Sequence, residues 1–145
     1  MKKQIGRYLR YKLAFERLDE ALEQGWLLEA ISLEESIITD RLLSILETKG
    51  VAASSRQSLG NLIAQAKKAI TGSGELIEGD AFHELDQWRD ARNECVQGFC
   101  KLDDHAYAEN SAEIFSEKMW QTAKKGRELV DLVKDLSTQV KKVQS

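Results

Sequence analysis

The sequence predicts an all-α fold: an antiparallel bundle of four long helices plus one short helix, in a single domain over residues 1–145. Three observations lead there. Apolar residues recur at alternating intervals of three and four along most of the chain, the period of one helix face. No stretch alternates apolar and polar residues as a half-buried strand would. Proline is absent from all 145 residues, and proline breaks helix interiors.

The first helix carries Tyr8, Tyr11, Phe15, Leu18 and Leu22 as its apolar seam and ends near Gly25. The second runs from about Trp26 to Lys49. Its apolar arc is wide: Leu27, Ala30, Ile31, Leu33, Ile37, Ile38, Leu42, Ile45 and Leu46. A helix apolar on more than one face lies between neighbours. Gly50 caps its end. After a loop of small residues from Val51 to Arg56, Ser58 caps a short helix carrying Leu59, Leu62, Ile63, Ala66 and Ile70. The run Thr71 to Gly74, TGSG, is a turn. It is no phosphate loop, since no strand precedes it and no Gly-Lys-Ser/Thr follows.

A fourth helix begins at the candidate N-cap Asp80 and ends around Lys101. A connection follows from Asp103 to Asn110. Asn110 and Glu113 then have capping-box spacing for the last helix. Its seam is the longest in the chain: Ala112, Phe115, Met119, Thr122, Gly126, Leu129, Val133, Leu136, Val140 and Val143. Such a seam packs along a bundle or against a partner chain. Gly126 inside it costs about 1 kcal/mol relative to alanine. Its expected use is to let a neighbouring helix or bulky side chain come close.

A formal net charge of −3 gives no global pull toward nucleic acid. The distribution is uneven, with Lys2, Lys3, Arg7, Arg10, Lys12 and Arg17 opposed only by Glu16 in the first seventeen residues. That face reads as solvated, yet it is placed to reach phosphate if nothing covers it. Cys95 and Cys100 are five apart on one predicted helix, which is neither a zinc pair nor a redox CxxC. They read as buried thiols in a reducing compartment. His83 and His105 lack metal-ligand spacing, so neither a metal nor a cofactor is expected. No apolar run approaches transmembrane length, and the basic start lacks a signal peptide's apolar core. The expectation is a cytoplasmic protein with no membrane partner.

The candidate site is the stretch Leu85 to Phe99. Leu85, Trp88, Arg92, Cys95 and Phe99 form one helical stripe, with an arginine where the pattern asks for a core residue. A guanidinium stays charged, and burying it unpaired is expensive. Either Arg92 finds an acid inside the fold, with Glu34, Glu35 and Asp90 as candidates, or its stripe opens onto a cleft that needs positive charge. Asn93 follows it, and Gln97 lies further along the helix.

The short LGNLI helix (Leu59 to Ile63), WRDARNECVQ (Trp88 to Gln97) and AKKGRELVDLVKDL (Ala123 to Leu136) resemble the HEPN superfamily, and within it small stand-alone bacterial and plasmid members. The resemblance implies a helical homodimer. Active members are metal-independent ribonucleases of toxin–antitoxin and defence systems, with their motifs meeting across a cleft. It also implies RNA as a ligand and a protein partner such as an antitoxin or a nucleotidyltransferase. The family motif is an arginine, a polar residue that is often asparagine, and a histidine after four to six intervening residues.

Carried over, the motif arginine is Arg92 and the polar residue Asn93. The histidine falls at 97, 98 or 99, where this chain has Gln97, Gly98 and Phe99. Imidazole accepts and returns a proton near neutral pH, whereas an amide only exchanges hydrogen bonds. The sequence therefore predicts a degenerate catalytic motif of Arg92, Asn93 and Gln97. The protein would be a non-catalytic or weakly active binding module. Two other functions remain open. One is an active ribonuclease using Arg92 and Asn93 with a different base; the other is a helical interaction protein unrelated to RNA.

Overall fold

The computed structural model describes residues 2–72, 80–98 and 111–144, and every element among them is an α-helix. In chain order these are α1 (Lys2–Gln24), α2 (Leu27–Thr48), α3 (Leu59–Gly72), α4 (Ala81–Gly98) and α5 (Ser111–Gln144). None is long and apolar enough to cross a membrane. Of the run Thr71 to Gly74 expected as a turn, Thr71 and Gly72 instead continue α3, because the Thr71 hydroxyl bonds back to the Lys67 carbonyl within the helix; Ser73 and Gly74, the connection from Asp103 to Asn110, and Phe99, Cys100, Lys101 and His105 lie outside the described residues.

Two glycines end the first two helices by the same geometry. Gly25 has φ +78° and Gly50 φ +71°, the left-handed region where a Cβ is penalised. The Gly25 and Trp26 N–H groups donate back to the carbonyls of Leu22 and Ala21. Those of Gly50 and Val51 donate to Glu47 and Leu46. Each pair is a Schellman motif that satisfies the last carbonyls of its helix. At the start of α3 the Ser58 hydroxyl accepts from the Asn61 N–H at 3.2 Å, the N-cap bond that the sequence calls for.

The packing follows from the apolar faces. α2 touches α1, α3 and α5; α4 touches α3 and α5. The contacts α2–α3–α4–α5–α2 close a ring, with α1 laid on the outside of α2. This explains the wide apolar arc of α2, whose Ala30, Ile31, Ile37, Ile38, Leu42, Ile45 and Leu46 are all buried. Leu59, Leu62, Ile63, Ala66 and Ile70 of α3 join the same core, as do Leu85, Trp88 and Cys95 of α4.

Two seams are shorter than the sequence suggests. On α5 the core runs only from Thr122 to Val140; Ala112 and Val143 are exposed, and Phe115 and Met119 are half-buried. At 1.5 Å per residue α5 is about 51 Å long, against about 33 Å for α2 and about 27 Å for α4. Its ends outrun the helices that would cover them. On α1, Leu18 and Ala21 are buried, but Tyr8 is 64% exposed. There the helix faces an open cleft instead of a neighbouring helix.

Candidate functional site

Arg92 points toward α2 and finds an acid. Its Nε donates to Glu35 Oε2 at 2.8 Å, and its Nη2 lies 2.5 Å from the same oxygen. Its Nη1 donates to the Oδ1 of Asn93. The two side chains of the ion pair are 27% and 28% exposed, so the pair sits at the edge of the core and not within it. Of the five guanidinium N–H groups, three are directed at these partners and two, one on each Nη, meet no partner among the described residues.

Of the three acids considered for Arg92, Glu35 is thus the one that meets it. Asp90 binds Arg89 at 3.3 Å instead. Glu34 is fully buried, and neither of its carboxyl oxygens has a hydrogen-bond partner among the described residues. Burial pushes its pKa up to about 9, against the opposing pull of the Arg127 charge. At neutral pH it is therefore a neutral carboxylic acid.

Gly126 explains where that acid fits. A Cβ built on Gly126 would come within 2.5 Å of the Glu34 carboxyl carbon and 2.9 Å of Trp88 Nε1. The missing side chain makes room for a carboxyl from α2 and an indole from α4 at one level of α5. The Trp88 Nε1–H donates to the Thr122 carbonyl at 2.9 Å, so the indole is satisfied without Glu34. Cys95, one stripe position beyond Arg92, is buried with its sulfur 3.5 Å from Thr122 Oγ1.

The structure brings Arg92 and Asn93 together and leaves Gln97 apart. Gln97 is exposed. Five residues along an α-helix place it about 140° around the axis from Arg92, and no hydrogen bond joins it to either residue among those described. His83, also exposed, lies nine residues before Arg92, about half a turn off its face. No group of three or more His, Cys, Asp or Glu side chains is placed to hold a metal ion among the described residues.

Chemically, this arrangement offers two charged hydrogen-bond donors at a half-exposed point, backed by an asparagine. Among the described residues no histidine lies beside them, and the carboxylate that does, Glu35, is paired with Arg92. Sequence reasoning missed Glu34 as a buried acid. The signal was present: Ile31, Glu34, Ile38 and Ile45 fall at intervals of three, four and seven, so Glu34 falls on an apolar stripe of α2 just as Arg92 falls on one of α4. No protein-family model matches the chain, and no curated protein or solved structure matches it either.

Proposed function

We propose that this chain is a HEPN-like binding module that does not cleave RNA efficiently, with four long helices and one short one arranged as in that superfamily. The observation that carries the reading is the engagement of Arg92. Glu35 and Asn93 hold three of its donors, and the position where the motif needs a histidine is an exposed glutamine turned away from it. RNA cleavage beside a 2′-hydroxyl needs a base for that proton, an acid for the leaving oxygen, and positive charge on the phosphate. Arg92 supplies charge and Asn93 a hydrogen bond. Among the described residues no histidine lies beside them, and the one carboxylate there, Glu35, is held by Arg92 itself; proton transfer is typically worth about a hundred- to ten-thousand-fold in rate.

In this reading the protein is a cytoplasmic homodimer that engages a protein partner such as an antitoxin or a nucleotidyltransferase, with RNA as a possible ligand. The dimer proposal has support on α4: Val96, one turn beyond Arg92, is half exposed. A symmetric partner there would cover it and face the two Arg92 donors that have no partner among the described residues.

The test is metal-independent cleavage of single-stranded RNA, with EDTA present, by wild type, Gln97→His and Gln97→His/Arg92→Ala. The expected outcome is little or no cleavage by wild type and, if the site is otherwise complete, a gain in Gln97→His that Arg92→Ala removes. Robust wild-type cleavage abolished by Arg92→Ala would replace this reading with an active ribonuclease. A second reading, a helical interaction protein unrelated to RNA, is favoured by one observation: the Arg92–Glu35 pair gives the arginine a structural reason to exist. No cleavage and no RNA binding by any of the three proteins would select it.

A further inference from the structure

α1 is apolar on two opposite sides, and the bundle covers one of them. Leu18 is fully buried, whereas Leu9, nine residues earlier and half a turn around the axis, is 57% exposed. Ile5 and Leu13, one turn to either side of Leu9, are also more than half exposed. The three form a stripe about 12 Å long on the side of α1 turned away from α2. Single exposed apolar residues are ordinary, but a contiguous row of them marks a contact surface.

The residues around this stripe are ordered by chemistry. Around the helix axis, Ile5 and Leu13 lie about 40° to either side of Leu9. Lys12 and Tyr8 follow on one side at about 60° and about 100°, and Arg10 on the other at about 100°. Arg10 and Lys12 are exposed and form no ion pair with any described residue. Tyr8 holds its ring mostly in water. Lys12 and Tyr8 also line the cleft between α1, α2 and α5, where Lys134 and Lys141 of α5 add two exposed cations. The first fifteen residues contain no Asp or Glu. Acids begin at Glu16, which ends the apolar stripe, and recur at Asp19, Glu20 and Glu23, opposed only by Arg17. A positive half of α1 is thus set apart from a negative half, in a chain whose formal net charge is −3.

An aliphatic centre with cations and an aromatic ring along its edges is how a helix lies in an anionic lipid surface. The aliphatic side chains enter the acyl boundary, Lys and Arg lay their stems along it with their charges at the headgroups, and the ring bridges the two zones. No helix among the described residues is long and apolar enough to cross a bilayer, and lying on one needs a stripe, not a span. Three other occupants fit less well. A polynucleotide would engage the cations and leave the aliphatic stripe in water. A partner helix lays its apolar face into a groove, whereas this stripe is the convex ridge of a helix on the outside of α2. A second copy pairing about Leu9 would set two segments without a carboxylate against each other, positive on positive.

We propose that the face of α1 over residues 5–13 docks on a membrane surface rich in anionic phospholipid, with Ile5, Leu9 and Leu13 in the acyl boundary and Arg10 and Lys12 on the headgroup phosphates. This goes beyond the reading of Arg92 and does not depend on it.

The test is co-sedimentation of the full chain with sucrose-loaded vesicles, either of phosphatidylglycerol and phosphatidylcholine in equal parts or of phosphatidylcholine alone. The proteins are wild type, Leu9→Ser/Leu13→Ser, Arg10→Gln/Lys12→Gln and Arg92→Ala. All the substituted α1 residues are exposed, and thermal melting checks that each variant folds. Wild type should bind the anionic vesicles, and added salt should weaken that binding. Leu9→Ser/Leu13→Ser should weaken it by about tenfold or more, and Arg10→Gln/Lys12→Gln by about thirtyfold. Arg92→Ala should bind as wild type does. Absence of sedimentation with the anionic vesicles at about 1 mM lipid, well above the concentration at which a single acyl anchor partitions, overturns the proposal. So does unchanged affinity in a folded Leu9→Ser/Leu13→Ser protein, or equal binding to phosphatidylcholine alone. A fall in the mass of Leu9→Ser/Leu13→Ser by light scattering overturns it in favour of a second copy on this face.

Discussion

Replacing Glu34 with glutamine removes a titrating group from the core while keeping its shape. The wild-type carboxyl has an ordinary pKa of 4.5 and is pushed to about 9 in the fold. Between those values the folded protein holds a proton that the unfolded chain has released. Stability therefore falls as pH rises through this window, by about 1.4 kcal/mol per pH unit. Below the unfolded value the term vanishes; at pH 7 it amounts to about 3 kcal/mol. Glutamine has no such term. Its unpaired amide carries a pH-independent burial cost of about 1–3 kcal/mol, of the same kind as that of the unpaired protonated carboxyl it replaces. The stability of Glu34→Gln relative to wild type should thus rise by about 4 kcal/mol between pH 5 and pH 8. Urea unfolding of both proteins at pH 5, 6, 7 and 8 reads this directly, because every other titrating group cancels in the difference. A difference that stays constant across the four pH values would show that the Glu34 carboxyl is solvated or paired, and would refute the reasoning.

Gly126→Ala should destabilise the protein by about 1–3 kcal/mol despite the gain in helix propensity, because its Cβ meets the Glu34 carboxyl and the Trp88 indole; a melting temperature at or above wild type would show that those side chains move aside freely. Multi-angle light scattering at tens of micromolar, chosen against ordinary dimer affinities, should give a two-fold homodimer. A monomer would remove the proposed role of Val96 and the remaining Arg92 donors in a symmetric cleft.

Where helices stop was legible because the signals are chemical and local. Gly25 and Gly50 supply the left-handed residue of a Schellman motif, and Ser58 supplies a hydroxyl at an N-cap. The role of Gly126 was legible too, since a glycine in a long apolar seam costs helix stability and needs a packing reason. Which residues stay wet was less legible. Periodicity assigns Tyr8 and Val143 to seams, but coverage depends on how far neighbouring helices extend, which one helix's pattern does not contain. The Arg92 partner was legible as a short set of acids. Helix geometry already argues against Asp90, since residues two apart do not face each other. Choosing Glu35 over Glu34 requires the rotation of α2 against α4, a tertiary property. The cleft between α1, α2 and α5 gathers residues from positions 7 to 141, so the sequence revealed only its α1 wall, the run of basic residues.

The account rests on Arg92 being held by Glu35, and a double-mutant cycle on stability tests that most directly. Arg92→Ala, Glu35→Ala and the double variant should show a favourable coupling of about 1 kcal/mol, the upper part of the range for half-exposed pairs with good geometry. Additive effects of the two substitutions, with no coupling, would mean that Arg92 is free of the fold and available for other chemistry, contradicting the account.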